Sequence, residues 1–244
     1  MDRDRLFHES EGEWTKGSFE FDARVVNVFD DMVSRSVPGY ATIQLLISDL
    51  AIQHCKNGAI YDLGCSTGNT IMALLERATT PIKIIGVDDS IEMVEKCKNK
   101  LKGHVKEAEV TVKKLNIESD DVFKDGLADV VILNLVLQFI RPLKRLNILK
   151  ELHSKTNKEG CLIIVEKTIN TDKYINSLFI DYYYRYKKEM GYSDIEISKK
   201  RTSLENILVP FTVEENIAMF KEAGYSEVSS FFQWMNFSGF IAIK

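Results

Sequence analysis

The stretch Ala59-Ile60-Tyr61-Asp62-Leu63-Gly64-Cys65-Ser66-Thr67-Gly68 joins a short apolar run to a glycine-rich turn. A helix is predicted directly after this turn, over residues 69–76. Gly64 and Gly68 allow a tight turn that approaches a ligand closely, and the helix start offers free backbone N–H groups. A strand, a glycine turn and a helix in this order predict the ligand-binding end of an open α/β sheet.

Apolar runs and amphipathic helical segments alternate on both sides of this turn. Strands are predicted at 59–63, 83–87, 109–114, 129–133 and 161–165, and helices at 21–33, 41–54, 69–76, 91–101, 142–153 and 213–223. Nearly continuous apolar strands separated by helices predict a mostly parallel sheet buried on both faces. The runs 227–233 and 236–243 are joined by a short connection, which predicts a C-terminal antiparallel hairpin and a seven-stranded sheet in all.

The 244 residues are expected to form a single domain, since no linker-like segment interrupts them. Residues 1–55 are interpreted as an N-terminal helical cap. Residues 173–207 break the alternation with a long polar and aromatic helical stretch, which we interpret as an insertion or lid.

Composition excludes several classes of protein. The chain has 32 Lys and Arg against 36 Asp and Glu, a net charge of −4, and 45% hydrophobic residues. This balance argues against disorder and against a nucleic-acid binder that works by counterion release. No apolar run approaches the roughly 20 residues of a membrane span, and no apolar signal segment follows the first residues, so a cytoplasmic protein is expected. The four Cys and four His have no zinc-type spacing, and no metal is expected.

The turn favours one nucleotide class over others. A dinucleotide fingerprint would need glycine at positions 66 and 69, where Ser66 and Asn69 stand, and no phosphate-binding G-K-[ST] string is present. The spacing D-x-G-x-[GS]-x-G instead resembles the first motif of class I S-adenosylmethionine-dependent enzymes. Asp88 ends the second strand, where an acid accepts hydrogen bonds from a ribose. Asn116 and Asn134 end the third and fourth strands and are expected to face the same cleft.

Beyond this turn, nearly the whole chain resembles one family, the carboxy-S-adenosyl-L-methionine synthases of the tRNA wobble-uridine modification pathway. The most specific strings are Arg35-Ser36-Val37-Pro38-Gly39-Tyr40 and Lys200-Arg201 followed by Leu204-Glu205-Asn206. The other strings are Trp14-Thr15, Phe21-Asp22-Ala23-Arg24-Val25, Tyr61 to Ser66, Leu133-Asn134-Leu135, Leu137-Gln138-Phe139, Glu166-Lys167, Gly191-Tyr192-Ser193, Glu196 to Lys199, Phe232-Gln233 and Asn236-Phe237.

The resemblance implies a Rossmann-like class I methyltransferase fold with an unusual reaction. Such enzymes convert S-adenosylmethionine and prephenate to carboxy-S-adenosylmethionine and phenylpyruvate, and a separate tRNA carboxymethyltransferase uses the product. The resemblance implies that the cofactor or its carboxylated form contacts Tyr40, Gly64, Cys65, Ser66, Asp88, Asp89, Asn116, Ile117, Asn134 and Arg201. The family commonly has Asp at position 116, so the adenine contact of Asn116 is the least certain of these.

The implied chemistry needs cationic side chains. Loss of a proton from the sulfonium methyl group gives a carbon nucleophile that would capture carbon dioxide released from prephenate, and hydroxide or water eliminated from prephenate would take that proton. Arg201 would bind the new carboxylate bidentately. Arg35 and Arg201 are the candidates for binding prephenate, which is a dianion.

Two other functions remain open at this stage. One is an ordinary S-adenosylmethionine-dependent methyltransferase acting on a small molecule or tRNA, and the other is a non-catalytic S-adenosylmethionine-binding protein. A methyltransferase with a neutral acceptor has little use for Arg35 and Arg201 beside a cationic sulfonium. The family and the aromatic insertion suggest a homodimer, and neither direct nucleic-acid binding nor membrane association is expected.

Overall fold

A computed structural model of the chain describes Leu6, Gly17, Phe19 and residues 23–244 except 57, 106, 107 and 120. Its strands are β1 (Ala59–Leu63), β2 (Lys83–Asp88), β3 (Glu109–Lys114), β4 (Ala128–Asn134), β5 (Thr156–Ile169), β6 (Phe211–Thr212), β7 (Glu227–Trp234) and β8 (Phe237–Ile243). Its helices are α1 (Ala23–Ser36), α2 (Tyr40–His54), α3 (Asn69–Arg77), α4 (Ile91–Leu101), α5 (Pro142–Lys155), α6 (Lys173–Glu189), α7 (Asp194–Leu204) and α8 (Val213–Glu222), with a 3-10 turn at Leu137–Phe139.

The seven long strands form one sheet in the order β3-β2-β1-β4-β5-β8-β7. The first five run parallel, whereas β8 is antiparallel to both β5 and β7. This arrangement confirms the predicted mostly parallel sheet with a C-terminal antiparallel hairpin. The carboxyl ends of the parallel strands therefore meet at one edge, where a ligand site is expected.

Helices cover both faces of the sheet. Successive residues of β1 alternate between two separate hydrophobic clusters, so Ile60 packs in one and Tyr61 in the other, and both are fully buried. Helices α1 to α4 contribute to the cluster of Ile60, while α5 and α8 contribute to that of Tyr61. Burial of each such side chain stabilises the fold by about 1.5–3 kcal/mol, which explains why the strands are nearly continuously apolar.

Two features of the sheet were not predicted. Strand β5 is longer than the apolar run 161–165, because Thr156 already pairs with Ala128 before the register shifts and Cys161 pairs with Val130. An additional two-residue strand, β6, pairs in parallel with the end of β5, and so short a strand carries no periodicity. Together they make an eight-stranded sheet in place of the predicted seven.

The helical insertion predicted at 173–207 consists of α6 and α7 and lies between β5 and β6 in the chain. The helix predicted at 21–33 is α1, which extends to Ser36. Two of the strings that carry the family resemblance, Trp14-Thr15 and Phe21-Asp22, lie outside the described residues.

The described residues include neither a membrane-spanning helix nor a cluster of metal-binding side chains. None of the helices there combines the length and the apolar character required to cross a bilayer. The same part of the chain holds no group of three or more His, Cys, Asp or Glu side chains arranged to bind a metal ion.

Candidate active site at the carboxyl edge of the sheet

A cleft of about 700 Å³ opens at the carboxyl ends of β1 to β5 and is bordered by α1, α6 and α7. Ten of the eleven residues predicted for the site line it, and they come from six separate parts of the chain. These ten are Tyr40, Gly64, Cys65, Ser66, Asp88, Asp89, Asn116, Ile117, Asn134 and Arg201. The eleventh, Arg35, does not line the cleft.

The glycine turn approaches the neighbouring elements so closely that side chains are excluded. Gly64 has φ of 78°, and a β-carbon there would lie 2.5 Å from Val136 Cγ2. Gly68 has φ of 83°, and its β-carbon would lie 2.6 Å from Cys97 Sγ. Ser66 adopts φ of 48° without being glycine, which is a strained conformation of the kind found at ligand sites.

Asp88 fixes the turn to the end of β2. Its two carboxylate oxygens accept hydrogen bonds from the backbone N–H groups of Ser66, at 2.9 Å, and Ser90, at 3.0 Å. Burial raises the pKa of Asp88, and the two N–H groups oppose this effect because they stabilise the charged form. The neighbouring Asp89 is exposed, and its carboxylate faces the cleft without a hydrogen bond to any described residue.

The two asparagines at the strand ends have different surroundings. Asn116 Oδ1 accepts a hydrogen bond from the backbone N–H of Glu118 at 2.9 Å, so this oxygen is already used within its own loop. Asn134 Nδ2 donates to Thr70 Oγ1 at 3.3 Å, whereas its Oδ1 is buried and has no partner among the described residues. A buried acceptor without a donor costs free energy, and a ligand donor in the cleft would satisfy it.

Tyr40 is held in place by a polar network behind the glycine turn. Its hydroxyl oxygen accepts a hydrogen bond from Asn69 Nδ2 at 3.2 Å, and burial raises its pKa to about 12. Asn69 and Thr67 also donate to Asp30, which forms an ion pair with Lys100 at 2.8 Å. The network ties α1, α2 and α4 to the turn, and of its members only Tyr40 was predicted as a site residue from the sequence.

Two cationic groups occupy the other side of the cleft. Arg201 on α7 forms no hydrogen bond or ion pair with a described residue. Lys167, which follows the apolar core of β5, is the main functional candidate that the sequence analysis missed. Desolvation, and then the nearby charge of Arg201, lower the pKa of Lys167 to about 8. The sequence signal for this residue was the presence of a cation directly beyond the buried apolar run 161–165.

Arg35 holds the insertion rather than facing the cleft. Its guanidinium pairs with Asp31 at 2.8 Å, donates to the carbonyl oxygen of Met190 at 3.2 Å and stacks 4.3 Å from the ring centre of Tyr192. The next residue, Ser36, receives hydrogen bonds from Lys200 at its hydroxyl and from Tyr183 at its carbonyl oxygen, both at 2.9 Å. These contacts fix α6 and α7 to the end of α1.

Comparisons with known proteins identify relatives of this chain. A family model described as a methyltransferase domain matches residues 60–160. A carboxy-S-adenosyl-L-methionine synthase from Methylococcus capsulatus is 39% identical over 250 residues, covering 100% of both chains. A protein of the same name from Desulfotalea psychrophila is 41% identical over 230 residues, covering 93% of this chain and 92% of its own.

Solved structures support the fold alone. An O-methyltransferase family protein from Burkholderia thailandensis superimposes with a TM-score of 0.67 at 18% identity, over 92% of this chain and 60% of that one. Human N-acetylserotonin methyltransferase superimposes with a TM-score of 0.57 at 16% identity, over 91% of this chain and 55% of that one.

Proposed function

The chain belongs to the carboxy-S-adenosyl-L-methionine synthase family of enzymes, and from this premise we propose that it converts S-adenosylmethionine and prephenate to carboxy-S-adenosylmethionine and phenylpyruvate. The product would remain bound until it is transferred. A separate tRNA carboxymethyltransferase would then use it to modify the wobble uridine. The enzyme itself would act in the cytoplasm without direct contact to nucleic acid.

The observation that carries this proposal is the position of Arg201. Its guanidinium lines the cleft that also contains the glycine turn, and no described carboxylate pairs with it. A cation beside a sulfonium would repel S-adenosylmethionine unless an anion lay between them. The carboxylate that is transferred to the methyl group is such an anion, and a planar guanidinium binds it with two parallel hydrogen bonds.

The remaining predicted residues fit the two ends of S-adenosylmethionine. Asp88 and Asp89 lie where the ribose hydroxyl groups would donate, with Asp89 the more accessible of the two. Asn116 and Ile117 would border the adenine. The backbone of Gly64, Cys65 and Ser66 would contact the methionine part, with Asn134 and Tyr40 beside it. In this assignment Cys65 acts through its backbone, since its thiol is buried and its pKa is raised.

The proton balance requires no dedicated protein base. The methyl group loses one proton, and prephenate loses one carboxylate as carbon dioxide together with its hydroxyl group. The hydroxide that leaves prephenate takes up the methyl proton and forms water. The protein's part would be to hold both substrates in contact and to bind the carboxylate as it is transferred.

The insertion offers a surface for a homodimer. Tyr174 and Tyr182 on α6 and Ile195 on α7 are exposed by 73%, 40% and 65%. Large apolar side chains clustered on one insertion favour self-association. Sedimentation equilibrium should report a dimer at micromolar concentration, and a monomer would contradict this part of the proposal.

The central experiment is incubation of the purified protein with S-adenosylmethionine, with and without prephenate, followed by mass spectrometry. We expect a cofactor heavier by one carbon dioxide only when prephenate is present. If prephenate changes nothing and only S-adenosylhomocysteine accumulates with added acceptors, the protein is an ordinary methyltransferase and the proposal is wrong.

Arg201 variants test the residue assignment. Arg201→Ala should lower carboxylation about 10- to 100-fold, because it removes the charged hydrogen bonds proposed to hold the transferred carboxylate, while S-adenosylmethionine affinity stays within about threefold. Arg201→Lys should retain part of the activity, since it keeps the charge but loses the bidentate geometry. Unchanged carboxylation in Arg201→Ala would remove this residue from the mechanism.

A further inference from the structure

Lys167 is a half-buried cation that forms no ion pair with a described residue. Its ammonium group faces the cleft, and neither a hydrogen bond nor an ion pair joins it to a described residue. The ammonium group instead makes a cation–π contact with the ring of Tyr183, whose centre lies 5.0 Å away. Buried charges in proteins are normally paired, so an unpaired ammonium in a cleft indicates an anionic ligand.

The backbone of Lys167 and the ring beside its ammonium group are held in place by the surrounding elements. The backbone N–H of Lys167 donates to Gln138 Oε1 at 2.9 Å, and its strand neighbour on β8 is Phe237. The ring of Tyr183 is itself held by its hydrogen bond to Ser36 and by an edge contact with Phe237. The point from which the Lys167 side chain leaves the sheet, and the ring against which it lies, are therefore set before an anion binds.

Charged and titratable groups approach Lys167 from the elements packed against it. Arg201 approaches from α7, and Lys187 and Tyr183 approach from α6, with Lys187 4.8 Å from the same ring centre. The adjacent Glu166 accepts hydrogen bonds from the backbone N–H groups of Leu137 and Gln138, so it does not neutralise Lys167. The result is a cationic wall beside the position proposed for the transferred carboxylate.

We propose that Lys167 binds the second carboxylate of the co-substrate, the one that is not transferred, so that the cleft selects dicarboxylates. The assignment rests on the proposed function, which gives Arg201 the carboxylate that moves. Two cations at separate positions match a dianion with two separated carboxylates. A monocarboxylate would leave one of the two cations unpaired and would bind more weakly for that reason.

The test measures binding in a complex that cannot react. S-adenosylhomocysteine lacks the methyl group, so prephenate added to the enzyme loaded with it binds without carboxyl transfer. Lys167→Met should weaken prephenate binding at least about 30-fold, while S-adenosylhomocysteine affinity changes less than about threefold. Lys167→Arg should restore most of the affinity. Lys173→Met, which removes an exposed lysine outside the cleft, is the matched control and should behave as the unmodified enzyme.

The pH dependence gives a readout that a structural role would not move. Desolvation and the charge of Arg201 lower the pKa of Lys167 to about 8, so the ammonium is progressively lost above that pH. Prephenate affinity should fall above pH 8 in the unmodified enzyme and stay constant to about pH 10 in Lys167→Arg, because arginine remains charged.

The outcomes separate this inference from the proposed function. If the unmodified enzyme neither binds nor uses prephenate, the proposed function is wrong and the inference with it. If the unmodified enzyme binds prephenate and Lys167→Met binds it within twofold, the proposed function stands and the role of Lys167 is overturned. Preserved S-adenosylhomocysteine binding in Lys167→Met shows that the variant is folded.

Discussion

Asp62 is the penultimate residue of β1, just before the glycine turn, and its carboxylate has an unusual environment. Both oxygens are buried and have no hydrogen-bond partner among the described residues. Burial, and then the charge of Asp88, raise the pKa of Asp62 from 3.8 to about 7. The folded protein therefore keeps a proton on this group over a pH range in which the unfolded chain has lost it.

The raised pKa predicts a specific pH dependence of stability. The contribution of Asp62 to the free energy of unfolding is fully present below about pH 4 and declines by as much as about 1.4 kcal/mol per pH unit until pH 7. Asp62→Asn cannot titrate, so its free energy of unfolding relative to the unmodified protein should rise by about 3 kcal/mol between pH 5 and pH 8. Urea unfolding of both proteins at the two pH values measures this change. A difference between the two proteins that is independent of pH would contradict it.

The sequence could predict those site residues that a short local pattern marks. The glycine turn and Asp88 are short patterns tied to a strand end, and a strand end has a fixed place in a parallel sheet. Arg35 could not be placed in this way, because the sequence does not show which way a helical side chain points until the helix is packed. Its neighbour in the chain, Ser36, is equally close to the motif but contacts Lys200 and Tyr183 of the insertion.

Fold elements show the same dependence on local signal. Strands made almost entirely of apolar residues, such as β1 and β4, could be predicted because burial on both faces requires such a run. The ends of β5 could not, since polar residues such as Glu166 are accommodated there by backbone N–H groups of another segment. Strand β6 exists only because β5 extends far enough to pair with it.

The insertion depends on contacts with the end of α1. Arg35 contacts Asp31 on its own helix, and it also contacts Met190 and Tyr192, which belong to the connection between α6 and α7. Since Arg201 lies on α7, these contacts place the proposed carboxylate-binding group relative to the rest of the cleft. Arg35 is therefore a positioning residue in this structure.

Arg35→Met should loosen this element without abolishing the fold. The lost ion pair and stacking would cost about 1–3 kcal/mol locally, so amide hydrogen exchange in residues 190–204 should become roughly 5- to 100-fold faster. S-adenosylmethionine affinity should change little, whereas the KM for prephenate should rise. Arg35→Lys, which keeps the charge opposite Asp31, should give a smaller acceleration. A higher KM with unchanged exchange would instead indicate that Arg35 contacts the substrate directly.

At the scale of the whole molecule, the cleft lies between two parts that the core already connects. Tyr183 of the insertion belongs to the same hydrophobic cluster as Val33 of α1 and Ile60 of β1. A ligand held only by the glycine turn would stabilise the sheet side of the cleft. A carboxylated ligand would also be held by Arg201 and would join the insertion to the sheet.

This bridging predicts a larger thermal stabilisation by the product than by the substrate. A ligand at 100 times its Kd stabilises the folded state by about 2.7 kcal/mol, which corresponds to roughly 5–10 °C in Tm for a chain of this size. At equal concentration, carboxy-S-adenosylmethionine should raise the Tm several degrees more than S-adenosylmethionine does. The difference should disappear in Arg201→Met, because the carboxylate then meets no guanidinium, while the shift caused by S-adenosylmethionine remains. Differential scanning fluorimetry of the two proteins with each ligand provides the four values, and equal shifts by both ligands in the unmodified enzyme would show that Arg201 does not hold the carboxylate.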